Sequence, residues 1–100
     1  IINRKGDFNV AHTHPNSFLS SAYYVKAPEN CGKFQIENPN QAKRYWYPEI
    51  KSKNELNKDF VSLSIEEGDL LLFPGYLSHK VSVNQSDKDR IVISFNVDIR

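Results

Sequence analysis

Ala11-His12-Thr13-His14-Pro15 is the stretch on which the reading of this chain turns. Two imidazoles stand two residues apart, and on an extended strand that spacing puts both side chains on one face. The only other histidine, His79, follows Gly68-Asp69-Leu70-Leu71-Leu72-Phe73-Pro74-Gly75-Tyr76-Leu77-Ser78. Neutral imidazole is a good ligand for iron, zinc, copper or nickel. Three such ligands leave coordination positions open, which catalysis needs and closed structural sites lack. An H-x-H pair alone is a weak signal, and a lone histidine weaker still; surface polar residues are the bland alternative. Each half, however, sits beside a strand-ending turn. The expectation is a fold that brings His79 up to the His12/His14 pair around a metal ion.

Working outward, the pattern is one of short strands and turns. Ile1 to Val10 reads as a strand, a turn at Lys5-Gly6-Asp7 and a second strand start. Phe18 to Val25 is rich in β formers, and Lys33 to Glu37 alternates with Phe34 and Ile36 on one face. Val61, Leu63 and Ile65 share a face after a polar excursion over residues 38–59. Leu70 to Phe73 is a continuous apolar run, which implies burial on both faces. His79, Val81 and Val83 alternate next. In the last strand Arg90, Val92, Ser94 and Asn96 line one face, and Ile91, Ile93, Phe95 and Val97 the other. No stretch carries a helical period. Many short strands with turn signals imply an all-β sandwich or barrel.

One hundred residues bound the chain to a single domain, residues 1–100. Absence of Met and an opening on Ile1-Ile2 lead us to expect an N-terminally truncated domain. Net charge of +1 with no basic stripe argues against a nucleic-acid partner. No apolar run approaches membrane-spanning length, and no signal-peptide pattern is present. The single Cys31 excludes an internal disulfide and fits a reducing compartment, so a cytoplasmic location is expected.

The order of the pieces resembles a known family. His12-Thr13-His14-Pro15-Asn16-Ser17, Ala22-Tyr23-Tyr24-Val25 and Gly32-Lys33-Phe34 come first. Glu67 through Val81 and Asp89-Arg90-Ile91-Val92-Ile93-Ser94-Phe95-Asn96 follow. Together they resemble the iron(II)/2-oxoglutarate-dependent oxygenases, in particular a prolyl-4-hydroxylase-like set that includes bacterial and phage members. The resemblance implies a double-stranded β-helix, or jelly roll, with the cupin-like barrel. It implies iron(II) as metal, 2-oxoglutarate as cosubstrate, O₂ as co-reactant, and hydroxylation of a C–H bond, with a prolyl side chain as one substrate. In that family an H-x-D pair and a distal His bind iron. Carried over, His12 and His79 are ligands and His14 stands where the carboxylate usually is. That exchange removes one negative charge from the metal's ligands, which weakens the hold on a hard divalent ion and raises its Lewis acidity. Arg90, eleven residues past His79, suits the place of the family's cosubstrate-binding cation. A guanidinium fork binds a carboxylate at two points. Tyr24 matches a tyrosine that bonds the same carboxylate, and Ser94 and Asn96 are weaker candidates on the face of Arg90. The alternative for Arg90 is a surface charge paired with Asp87 or Asp89.

Two other functional classes share these residues. Gly6 with His12-Thr13-His14, and Gly68 with Pro74 and His79, fit parts of the two cupin motifs, although Phe18 and Leu19 occupy the place of the expected glutamate. A cupin-type three-His metal enzyme and a non-catalytic metal-binding module therefore both stay open. Tyr45-Trp46-Tyr47 reads equally as a lid over the site or as a hydrophobic plug. Lys51, Lys53 and Lys58 read as a solvated loop, and Cys31 as inert. If Arg90 points inward, Ile91, Ile93 and Phe95 point outward. Such a stripe needs a cover, either a partner chain, as in a homodimer, or a further segment.

Overall fold

A computed structural model describes residues 1–40, 49, 51, 52, 54 and 59–99. Eight strands follow in order: β1 (Ile2–Asn3), β2 (Asn9–His12), β3 (Leu19–Lys26), β4 (Phe34–Glu37), β5 (Phe60–Leu63), β6 (Leu70–Pro74), β7 (His79–Val81) and β8 (Arg90–Val97). No helix occurs among the described residues, so none is long and apolar enough to cross a membrane. The strands form two antiparallel four-stranded sheets, β1-β8-β3-β6 and β2-β7-β4-β5. Except from β4 to β5, each successive strand lies in the opposite sheet. This is the jelly-roll architecture expected from the sequence. The barrel does not close, however: among the described residues no ladder joins one sheet to the other.

The core sits between the sheets. Ala22, Tyr24 and Val92 form one buried cluster, and Phe34, Phe73 and Val81 another; Ile65 and Leu71 pack against both. Phe73 comes from the first sheet and Phe34 and Val81 from the second, so the second cluster is a face-to-face contact across the sandwich.

Two local expectations are corrected. Leu70 to Phe73 is not buried on both faces: Leu70 and Leu72 are 51% and 57% exposed, whereas Phe73 is 7% exposed. The reason is position. β6 is an edge strand paired only with β3, and nothing described covers the outer side of that sheet, so the run alternates despite its uniform composition. Nor does Val83 join His79 and Val81 inside. β7 ends at Val81, and Val83 is exposed. Beyond it the fully buried Asn84 takes over. Its side-chain amide donates to the carbonyls of Asn3 and Lys88, both at 3.0 Å, and its Oδ1 accepts from the Ser86 amide at 2.9 Å. Tyr45-Trp46-Tyr47, with the expected lid or plug, and Lys53 and Lys58 lie outside the described residues.

Candidate metal centre

The β2–β7 ladder sets His12 directly opposite His79, and the β4–β7 ladder sets Ile36 on the other side of His79. β2 ends at His12, so His14 is not on the same strand as its partner. The backbone beyond the strand brings it in instead. The His14 amide donates to the Gly75 carbonyl at 2.9 Å, tying the first histidine segment to the turn before His79. The three rings converge: one ring nitrogen from each lies within 4.8 Å of the others. His14 Nε2 and His79 Nε2 are 3.3 Å apart. With metal–nitrogen bonds of roughly 2.0–2.1 Å, two ligands at right angles lie about 3 Å apart, so this spacing suits neighbouring ligands on one ion.

Backbone carbonyls select the nitrogens that face inward. A carbonyl only accepts, so His12 Nδ1 donates to Val10 at 2.7 Å and His79 Nδ1 donates to Leu77 at 3.0 Å. Each bond leaves the Nε2 lone pair free for a metal, the usual outer support of a metal-binding imidazole. Burial lowers the pKa of His14, with a further contribution from His12. It lowers that of His79 too, against the opposing Leu77 carbonyl bond and aided by His12 and His14. Both shifts favour the neutral imidazole, the form that ligates. Phe34 stacks on His79 with centroids 5.2 Å apart, and Phe73 meets it edge-on at 4.7 Å. These two phenylalanines hold the buried ring in place.

The imidazoles line a small cavity of about 100 Å³ between the sheets, and Tyr24, Arg90, Val92 and Ser94 line it as well. That volume is far below the roughly 300–1,000 Å³ of pockets for drug-sized ligands, and suits a small acid. Arg90 is 2% exposed, and its Nε has no hydrogen-bond partner among the described residues. The surface-pairing alternative does not hold: Asp87 pairs with Lys5 at 2.8 Å instead. Among the described residues the ionisable groups that act on Arg90 are Tyr24 and Cys31, neither a carboxylate, and burial lowers its pKa. A buried cation with an orphaned donor is costly unless an anion joins it. Burial pushes the Tyr24 hydroxyl up to about 12, opposed by Arg90, so it is a neutral donor at physiological pH. Ser94 is exposed although it lines the cavity, and Asn96 is exposed opposite Ser20. Cys31 is buried, and its thiol pKa is raised by that burial.

Sequence reasoning missed the two phenylalanines and Asn84. For Phe73 the available signal was its place beside Pro74 in the segment leading to His79. For Asn84, a polar residue in a turn, no sequence signal distinguishes a buried clamp from a solvated loop.

Residues 1–96 match the family model described as "Putative 2OG-Fe(II) oxygenase". No curated protein matches the chain.

Proposed function

The chain belongs to this 2OG-Fe(II) oxygenase family, and from that premise we propose that it is an iron(II)- and 2-oxoglutarate-dependent dioxygenase that hydroxylates a C–H bond, with a prolyl residue as the substrate favoured by the resemblance. The observation that carries this reading is the pairing of two unlike features in one cavity: three convergent imidazoles, and a buried guanidinium with an unpartnered donor. His12, His14 and His79 hold the iron. Arg90 receives the far carboxylate of 2-oxoglutarate, and the neutral Tyr24 hydroxyl donates to the same group. Ser94, on the cavity wall, and Asn96, nearer solvent, are supporting polar positions. Bound there, iron and 2-oxoglutarate would supply the oxidising chemistry: of the two oxygen atoms of O₂, one would enter succinate as 2-oxoglutarate loses CO₂ and the other the hydroxylated product. The protein's part is to hold both and to shield them between two apolar layers. A lone, buried Cys31 supports a reducing, cytoplasmic setting.

One observation keeps a second reading in view. Among the described residues the cluster is three imidazoles with no carboxylate, the donor set a cupin-type metal enzyme of another reaction, or a non-catalytic metal-binding module, would also present. Anaerobic titration with iron(II) and 2-oxoglutarate separates them. The oxygenase reading expects a visible metal-to-ligand charge-transfer band that Arg90→Ala abolishes. Iron binding without the band favours the cupin-type reading, and absence of metal binding overturns both enzyme readings.

A further inference from the structure

A second depression of about 390 Å³ lies on the other side of His14, between the turn that follows β2 and the turn that follows β6. His14 lines both this trough and the inner cavity, so the two adjoin at a proposed metal ligand. We propose that the trough seats the oxygenase's substrate as an uncharged, apolar segment of an extended polypeptide; this rests on the oxygenase reading and adds to it the substrate class and the place where it docks.

Three properties of the trough point that way. Its described walls are uncharged: Pro15, Phe18, Leu19, Pro74 and Tyr76 line it, with no lysine, arginine, aspartate or glutamate among the described residues there. A phosphorylated or strongly charged ligand finds no counter-charge there. Second, the rings are held out to solvent. Phe18 is 55% exposed and Tyr76 75% exposed. Exposed aromatic surface beside a reactive centre is what a docking segment covers. Flat proline and aromatic walls fit the apolar side of an extended chain, while a tyrosine hydroxyl can bond its amides.

Third, the trough is held by the chain's own backbone bonds. The Gly75 amide donates to the Phe18 carbonyl at 3.2 Å, and the His14 amide donates to the Gly75 carbonyl at 2.9 Å. Phe18 is in turn anchored to β8, its amide donating to the Val97 carbonyl at 3.0 Å. The two lips approach so closely at Gly75 that a Cβ there would collide with the Ser17 carbonyl oxygen. A preformed surface spares a ligand much of the cost of ordering its site.

The test is a titration of the ¹⁵N-labelled full chain, with zinc added to occupy the imidazoles without turnover. The probes are an end-blocked peptide of leucine, proline and glycine, and the same peptide with glutamate in place of leucine. The uncharged peptide should shift amide signals of residues 14–19 and 75–77 and bind at least tenfold tighter than the acidic one. Phe18→Ser and Tyr76→Ser should each weaken it at least tenfold with the rest of the spectrum in place. Leu72→Ser, on the outer face of β6 and absent from the trough lining, should leave it unchanged. Equal binding of both peptides, shifts confined to another surface, or no binding at millimolar concentration overturns the proposal. Failure of the oxygenase reading looks different: the trough still shifts with peptide, but iron and 2-oxoglutarate give no charge-transfer band.

Discussion

At the scale of single residues, Arg90 is where stability and function pull apart. A guanidinium 2% exposed with an orphaned Nε destabilises the empty protein, because its desolvation is not repaid by a partner. Arg90→Met keeps the stem's packing and removes the charge. It should raise the unfolding free energy of the metal-free protein by about 1–2 kcal/mol in urea melts while weakening 2-oxoglutarate at least ~100-fold by calorimetry, the loss of a buried charge-assisted bond. A destabilised Arg90→Met with unchanged 2-oxoglutarate affinity would assign the arginine a structural role instead. Tyr24 gives the alkaline counterpart. In the unfolded chain its hydroxyl ionises near the ordinary 10.0, and in the fold at about 12. Between those values the unfolded chain releases a proton that the fold retains, so stability present below pH 10 is lost as pH rises toward 12. The loss from this group is about 2–3 kcal/mol, and Tyr24→Phe should flatten that part of a stability–pH profile measured by urea unfolding.

At the scale of elements, β6 shows what the sequence could and could not reveal. Residue type alone made Leu70 to Phe73 look uniformly interior, yet only Phe73 is buried and Leu72 faces out. Composition reports that a strand is apolar; which of its faces is covered depends on neighbours far away in the chain. Phe73→Ala should therefore cost about 3–5 kcal/mol and loosen His79, whose ring it meets edge-on. In a single-chain background with Ile93 and Phe95 both replaced by lysine, Leu72→Ser should change stability by under about 1 kcal/mol. Similar losses from both, in chemical denaturation, would contradict the strand's orientation. The histidine spacing was legible because imidazole chemistry and turn signals coincide at His12, His14 and His79. Strand identity was legible for β3 and β8, whose eight residues each carry strong β formers. The tie between His14 and Gly75 was not, since backbone bonds between distant turns leave no residue pattern. Gly75→Ala tests that tie: the collision with Ser17 must push the His14 segment away, so zinc affinity should fall at least tenfold in a competition assay.

At the scale of the whole molecule, the unanswered demand is on the outside of the β1-β8-β3-β6 sheet. Tyr23 and Val25 from β3, Leu70 and Leu72 from β6, and Ile93, Phe95 and Val97 from β8 are each 39% to 57% exposed. Register makes them one surface: Tyr23 lies between Ile93 and Leu70, and Ser21 between Phe95 and Leu72. The outward stripe expected on the last strand is thus present at Ile93 and Phe95, while Ile91 is half-buried opposite Ile2 of β1. Seven large apolar side chains of this exposure present on the order of 600 Å², about the largest patch a monomer tolerates and near the roughly 800 Å² each partner gives a stable dimer. A flat, apolar sheet face is also complementary to itself, which a two-fold contact requires. We therefore expect a homodimer through this face, with the metal sites left free because the imidazoles lie between the sheets. Light scattering should return twice the 11.5 kDa chain mass at micromolar concentration. Replacing both Ile93 and Phe95 with lysine should return a single chain that still binds zinc. A monodisperse single chain from the unmodified protein would show that one layer of apolar side chains can stay wet here, and the dimer would be wrong.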